Sequence, residues 1–302
     1  MRSTDGLMAR INTNAEPRRF TAGLTAPVEG RTIETVVEGS MNSDRLVIVS
    51  AGKTSLHPRW YEWKSRSYDI VALVYDDSVE KLARTADHVF ERTGTKWELM
   101  TWFFENYQDL WRRYKYFWLV DDDLLCDGDD VDRLFSAASR HELALCQPSL
   151  TRSSFYSHGI TVHRRAFEYR RTNFVECMCP LFERRALEKV LGSFGESRSG
   201  WGLDYVWAQV ILKGERIGVI DEVAIEHSRP INAPRRGQAP TDDASFYSKF
   251  AIDPWGEMEA VIAKYGLAGR AEKELSGRLR SGREIGRAAC RFVSRLDKIL
   301  PF

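Results

Sequence analysis

Three successive carboxylates, Asp121, Asp122 and Asp123, stand directly behind the apolar run Phe117-Trp118-Leu119-Val120. Such a run reads as a short buried strand, which places the triplet at a strand end. Adjacent carboxylates repel one another and resist burial, so something positive usually holds them. A hard divalent cation suits them, because such ions take oxygen ligands. Asp121 and Asp123 are two apart and face the same side of an extended chain, which leaves Asp122 pointing away. One of the pair can then hold a metal while the other holds the metal's water or a second ligand. An EF-hand is excluded, because Leu125 and Cys126 stand where a ligand and a glycine are needed. Leu124-Leu125 also fits poorly with an aspartyl-phosphate phosphatase. Helix capping accounts for Asp129 or Asp130 but not for a triplet at the strand end.

The rest of such a site is expected downstream. Asp204 closes Gly200-Trp201-Gly202-Leu203-Asp204. The glycines permit positive φ and let a ligand approach the backbone, while Trp201 offers a flat apolar face. An Asp here could also be a simple helix cap. His227 ends the apolar stretch Val223-Ala224-Ile225 ahead of Ser228, Arg229 and Pro230. A lone His is often structural, but at a strand end it is a credible third metal ligand.

Positioning these residues requires a sheet. Leu46–Ser50 and Asp69–Asp77 read as further buried strands, the first ending in small residues and the second in carboxylates. Met100, Phe103, Phe104, Tyr107, Leu110, Trp111 and Tyr114 recur at helical steps and predict a helix with an aromatic core face. A helix follows from Asp129 or Asp130, carrying Val131, Leu134, Phe135 and Ala138, and then a strand over 143–147. This alternation predicts an α/β fold with a mixed, mostly parallel central sheet flanked by helices. Ligands in such sheets sit beyond the carboxyl ends of the strands. Ser50, Ala51 and Gly52, Tyr75 and Asp76, and the Asp triplet all fall there. Further strands are expected over 159–163, 174–178, 217–220 and 223–227, with a helix through Val206, Trp207, Val210 and Ile211 that stops near Gly214.

The organisation expected is a mobile polar arm over 1–43, a catalytic domain over 44–240 and a basic, amphipathic helical extension over 241–302. In the extension Arg278, Arg280, Arg283, Arg287, Arg291, Arg295 and Lys298 alternate with Leu279, Ile285, Ala288, Ala289, Phe292, Leu296 and Ile299. That pattern suits a helix lying on an anionic membrane surface and equally a helix docked on the domain. With 302 residues, 29% of them charged, and a formal net charge of +1, nothing in the global charge calls for nucleic acid. Basic residues gather at one terminus rather than around the Asp sites. The five cysteines form no Cys-x-x-Cys pair and suit reduced thiols. No secretory signal and no spanning helix are read, which gives a cytoplasmic protein, at most peripheral at the membrane.

Taken in order, the strand with Asp-x-Asp, the Gly-Trp-Gly-x-Asp element and the strand ending in His resemble a glycosyltransferase of the GT-A fold. The Gly-Trp-Gly element is similar to that of inverting galactosyltransferase-type enzymes, except that Leu203-Asp204 supplies one acid where they carry two. Over residues 46 to 230 the chain also resembles the family labelled "lysine ketoglutarate reductase trans-splicing related". That resemblance rests on Ser50-Ala51-Gly52 through Ser55-Leu56-His57, Asp121 to Leu124, Gln147-Pro148-Ser149-Leu150, Phe174-Val175-Glu176 with Pro180-Leu181-Phe182, and Gly200 to Asp204. No reductase fingerprint accompanies it.

The resemblance implies transfer of a sugar from a nucleotide-diphosphate donor to a glycan or glycolipid hydroxyl. Asp123 and His227 would hold a divalent ion, Mn²⁺ or Mg²⁺, with one imidazole favouring Mn²⁺. Asp121 would reach the ion through water or bind the donor ribose. Ser50, Ala51, Gly52, Tyr75 and Asp76 would cradle the nucleoside. Asp204 would be the general base of an inverting reaction, with Glu176 as a second acid that orients the acceptor or is itself the base. Trp201 and Gly202 would meet the acceptor. A nucleotidyltransferase of the same fold and an inactive nucleotide-sugar-binding protein are the competing expectations.

Overall fold

The computed structural model describes residues 43–62, 65–231 and 246–299. The expected N-terminal arm lies outside them but for its last residue. Within them the chain runs β1 (Arg45–Ala51), α1 (Pro58–Tyr61), β2 (Asp69–Val74), α2 (Val79–Leu82), β3 (His88–Glu91), α3 (Lys96–Asn106), α4 (Gln108–Trp111), β4 (Tyr116–Asp121), β5 (Leu124–Leu125) and α5 (Gly128–Arg140). It continues through β6 (Leu145–Leu150), β7 (Phe167–Thr172), β8 (Leu181–Glu183), α6 (Arg184–Val190), α7 (Leu203–Val206), β9 (Ile217–His227), α8 (Phe246–Lys249), α9 (Pro254–Lys264), β10 (Glu274–Leu279), β11 (Glu284–Gly286) and α10 (Arg287–Ile299).

The strands form one mixed sheet in the order β11-β10-β7-β9-β6-β8-β4-β1-β2-β3, and β5 pairs with β9 off that path. The β3-β2-β1-β4 half is parallel, as its continuous apolar runs predict. Ser50 pairs with Asp121 and Ala51 with Val74, so these strands finish together at one edge. Apolar residues on the two sheet faces enter two core clusters, for instance Val47, Val49 and Trp118 on one side and Leu46, Ile48 and Phe117 on the other.

A capping box starts α3: the Thr95 hydroxyl accepts the Glu98 amide and the Glu98 carboxylate accepts the Thr95 amide. The helix buries Trp97, Leu99, Met100, Phe103 and Phe104, each worth about 1.5–3 kcal/mol of apolar burial. The aromatic stripe is core, as predicted, but not one helix. The backbone leaves helical geometry at Tyr107 (φ −120°, ψ 43°), and α4 resumes at Gln108.

Several local readings are corrected. The cap of α5 is Asp127, whose side chain accepts the Asp130 amide, so Asp130 is the third helical residue and Asp129 lies in the first turn. Residues 159–163 form a turn with a single bridge, Leu150 to Val162, and 174–178 form a loop and turn. Their Gly, Glu and Cys residues made strand-like alternation without a ladder partner. The strand there is β7, whose charged residues Glu168, Arg170 and Arg171 hid it. The two strands expected over 217–227 are one, β9, interrupted by a register shift opposite Pro148 and Ser149. The segment from Gly269 begins not as helix but as the hairpin β10–β11, with β10 paired to β7. Only residues from Arg287 are helical, and α10 buries Cys290, Ser294 and Asp297. The C-terminal segment thus extends the sheet.

The register shift in β9 surrounds an interior ion pair. Asp221 and Arg170 are both fully buried, with Nε to Oδ2 at 2.7 Å and Nη2 to Oδ1 at 3.1 Å. Arg170 also donates to the carbonyls of Ile160 and Val162 and to Glu274 of β10.

Candidate functional site

The site begins where β1, β2 and β4 end. Asp122 is buried and ties these ends together. Its Oδ2 accepts the Gly52 amide at 2.8 Å and the Tyr75 hydroxyl at 3.1 Å, and its Oδ1 accepts Arg229 at 3.0 Å. A Cβ on Gly52 would sit 2.4 Å from the Tyr75 hydroxyl, so glycine there admits tyrosine rather than a ligand. Ser50 and Ala51 are buried in β1. Asp76 accepts the Lys53 and Ser78 amides and the Ser78 hydroxyl. Burial raises its carboxyl, but these donors outweigh it and hold the group below the usual range. The residues expected to cradle the donor are therefore brought together, with their side chains closing the loops. His57, from the same motif, is buried between Ser55 and Thr85, and burial lowers its pKa to about 4, which makes it a neutral structural imidazole.

Asp121 and Asp123 separate from Asp122 as the spacing predicts. The Asp121 side chain is the open one, 38% exposed, and meets the Lys96 ammonium at 2.8 Å. Lys96, the first residue of α3, also donates to the carbonyls of Cys177 and Met178. It was missed in the sequence, where only the Thr95-x-x-Glu98 cap could have placed it at this edge.

Asp123 meets His227 through a device local to the chain. After the triplet, β5 pairs antiparallel with the end of β9, with Leu124 opposite His227. The Ser228 amide and hydroxyl both donate to the Asp123 carbonyl. This sets Asp123 Oδ2 3.1 Å from His227 Nε2. His227 Nδ1 lies 2.6 Å from the Phe155 carbonyl, which can only accept, so Nδ1 carries a proton and Nε2 faces the carboxylate. Burial pushes this imidazole's pKa down, but Asp123 and the Phe155 carbonyl more than offset it, to about 9. The other oxygen, Asp123 Oδ1, is buried with no hydrogen-bond partner.

An imidazole oriented by a carbonyl, beside a carboxylate with an orphaned buried oxygen, fits a divalent ion well. Asp123 and His227 are the residues that would hold it, and Asp121 stands off with Lys96. Among the described residues, the one trio whose ligand atoms all lie within 4.8 Å is elsewhere, at His141, Glu168 and Glu222. Arg140 and Arg278 already pair with its two carboxylates, so it is an ion-pair network.

A second cluster of acids lies around Asp204. Gly200 and Gly202 take positive φ, 82° and 92°. A Cβ on Gly200 would meet the Trp97 indole at 2.0 Å, and one on Gly202 would press on Met258 of α9. The close approach they permit is to protein. Trp201 packs edge-on against Trp255 and near Tyr247. Asp204 is not a cap; that position is Gly202, and Asp204 Oδ1 accepts the next amide, of Tyr205, at 2.9 Å. Burial lifts the Asp204 carboxyl to about 7, against the charge of His158 and with that of Glu176 and Glu272. Glu176 is buried, its Oε2 has no partner, and burial raises it too. His158, also missed, pairs with Glu272 at 2.6 Å, and the Tyr205 hydroxyl donates to the same carboxylate. Burial opposes the His158 imidazolium, but Glu272 more than compensates and its pKa rises to about 9. His158 sits in an aperiodic polar loop and Glu272 in a stretch read as helix, so neither carried a signal.

All five cysteines are free. Among the described residues no helix is long and apolar enough to cross a membrane.

No curated protein matches. The structure is similar to that of S. aureus TarS 1-349, with 12% identity and a TM-score of 0.42, over 61% of this chain and 60% of that one. This chain thus spans less than two thirds of that structure's length. It is also similar to TarS 1-349 in complex with UDP-GlcNAc (10% identity, TM-score 0.42, 72% and 70% covered). A third similar structure is GalNAc-T7 with UDP, GalNAc and Mn²⁺ (11% identity, TM-score 0.47, 74% and 51% covered). A family profile matches residues 45–260, and its description is "Protein of unknown function (DUF707)", which does not carry the reductase-related label. The chain belongs to the DUF707 family.

Proposed function

We propose that this protein is a metal-dependent, inverting glycosyltransferase of GT-A type. It would move a sugar from a nucleotide-diphosphate donor to a hydroxyl of a glycan or glycolipid acceptor, in glycan or polysaccharide synthesis. One observation carries the reading: Asp123 and His227 are in contact beside an orphaned buried carboxylate oxygen, and the buried Glu176, also with an unpartnered oxygen, feels the charge of His227 and acts on Asp204.

Asp123 Oδ1 and His227 Nε2 would hold Mn²⁺ or Mg²⁺, and the Phe155 carbonyl fixes the imidazole for that task. When bound, the ion would stabilise the negative charge that builds on the departing diphosphate. Asp121, open and paired with Lys96, faces the donor. The Asp122 knot holds Gly52, Tyr75 and Arg229 as a rigid floor under the nucleoside. Asp204 accepts the acceptor proton as its oxygen attacks C1. A carboxyl near 7 is well matched to that role at neutral pH. Glu176, with a free buried oxygen, orients the acceptor hydroxyl or is the alternative base. Trp201 and Gly202 form the acceptor wall.

An inactive donor-binding protein would need the metal pair but would have no use for a destabilised, buried Asp204. A nucleotidyltransferase would want a Gly-rich basic loop after β1, whereas the Gly52 and Lys53 backbone amides here donate to Asp122 and Asp76. The proposal includes a cytoplasmic location and peripheral contact with an anionic membrane, for which Phe292 and Leu296 of α10 are exposed.

The test is thermal shift with a panel of nucleoside diphosphates, with and without Mn²⁺. A specific ligand at a hundred times its Kd adds about 2.7 kcal/mol of stability. A metal-dependent rise with one nucleotide is expected, and it should vanish in Asp123→Ala. No shift with any nucleotide, at any metal concentration, sinks the proposal.

A further inference from the structure

Beside α10 lies a cleft of about 500 Å³, walled on the other side by Gly159, Ile160 and the segment from Ala271 to Glu274. Arg287, Arg291, Arg295 and Lys298 line it. Their spacings of four, four and three put all four on one face of the helix. Like charges at such spacings repel, and a helix gains by separating them or meeting them with anions. Among the described residues none of the four makes an ion pair. The two glutamates in the cleft are already engaged: Glu272 with His158 and Tyr205, Glu274 with Arg170. Lys298 also lines a second cleft of about 320 Å³ with Arg152 and Arg164. Burial and the neighbouring Arg164 lower the Lys298 ammonium's pKa, and the charge of Glu274 offsets this only in part.

The cleft has a direction. Its wall residue Glu272 is the partner of His158, and the charges of both act on Asp204. The basic row therefore lies behind the same wall that borders the proposed base.

We propose that this cleft binds a phosphate group, as monoester or diester, carried by the acceptor. Convergent guanidinium and ammonium groups suit phosphate oxygens through charge-assisted hydrogen bonds. This assignment to the acceptor rests on the glycosyltransferase reading; the phosphate chemistry of the cleft does not. The phosphate could come from a soluble phosphorylated glycan or from a lipid headgroup.

Binding is measured by calorimetry with sn-glycerol 3-phosphate, and by co-sedimentation with phosphatidylcholine vesicles with and without phosphatidic acid. The proteins are wild type, Arg291→Ala, Arg295→Ala and Lys298→Ala. All three side chains are exposed, so their truncation spares the core, and unchanged melting temperatures confirm it. Binding of either probe, weakened about tenfold or more by each substitution, is the expected result. The probe that binds identifies the soluble or the lipid source. No binding to either, or binding the substitutions leave unchanged, overturns the proposal. The nucleotide thermal shift is run on the same samples. If it persists while phosphate fails, this inference falls alone. If phosphate binds and no nucleotide does, the assignment to an acceptor is overturned.

Discussion

Two acid–base pairs each have one member on β9, Asp221 and His227, and they could hardly differ more. Arg170 and Asp221, at the register shift, are wholly buried, and the guanidinium spreads over Asp221, Glu274 and two carbonyls. His227 and Asp123, at the strand end, touch through one contact, and the carboxylate keeps an oxygen with no partner. A buried charge must be compensated, so complete pairing marks a structural device and incomplete pairing marks a place kept for something else. Asp204 and Glu176 follow the second pattern, each raised by burial rather than neutralised by a dedicated cation.

The largest effect is expected from breaking the complete pair. Arg170→Ala leaves Asp221 buried and alone, which typically costs about 3–5 kcal/mol. It also cuts the link through Glu274 that ties β10 to the sheet. Urea unfolding measures this, and replacing both partners at once, Arg170→Met with Asp221→Leu, should recover much of the loss. A cost below about 1 kcal/mol for Arg170→Ala would mean that water reaches the pair and that the contrast between the two regions is false.

At the incomplete site the same logic predicts loss of activity without loss of fold. Asp204→Asn should lower sugar transfer by about 10²–10⁴-fold while nucleotide affinity stays within a factor of about two. Stability should move the other way. The carboxyl titrates near 7 in the folded protein and near 4 when unfolded, so folding takes up a proton between those values. Stability is lost as pH rises through that window, and an amide removes the loss. A higher melting temperature at pH 8 with activity abolished fits a functional strain; a lower one assigns Asp204 a structural role.

This contrast also explains what could be read in the sequence. The parallel strands β1, β2 and β4 were legible because burial on both faces forces continuous apolar runs. The Asp triplet and His227 stood out because a polar residue behind such a run needs a reason, and Asp204 because it closes Gly200-Trp201-Gly202-Leu203. The partners Lys96, His158 and Glu272 were not, since a contact between residues 81 to 114 positions apart leaves no local trace. β7 failed for the opposite reason: its interior partner for Asp221 is an arginine, and charge in a strand pattern reads as surface. The glycines of Gly200-Trp201-Gly202 were found, but what they make room for is Trp97 and Met258.

A smaller effect concerns pH. His227 titrates near 9 because of Asp123, so a divalent ion held there as proposed would have to displace a proton from Nε2 below that value. Apparent Mn²⁺ affinity should fall about tenfold for each pH unit below 9. In the metal-free protein the raised pKa contributes stability that is full below about 6.5 and lost as pH rises through about 9. Calorimetric titration of Mn²⁺ at pH 6, 7 and 8 reads the first slope. A flat profile removes His227 from the ligand set.

The smallest effect is the sharpest discriminator, because one substitution is made in both regions. Asp221→Asn strips the charge that Arg170 grips at two atoms and leaves a wholly buried guanidinium with Glu274 as its one remaining charged partner beside two carbonyls. Asp123→Asn removes a charge from a side chain that is 15% exposed and already short of partners. It weakens one contact to His227 and at the same time ends the desolvation of an orphaned anionic oxygen. These oppose each other, so the metal-free variant should unfold within about 1 kcal/mol of wild type. Asp221→Asn should cost several times more. Added Mn²⁺ should stabilise wild type and Asp221→Asn alike but leave Asp123→Asn where it was. If Asp123→Asn instead destabilises the metal-free protein as much as Asp221→Asn does, then Asp123 and His227 form a structural ion pair after all, and the orphaned oxygen is not a place kept for a metal.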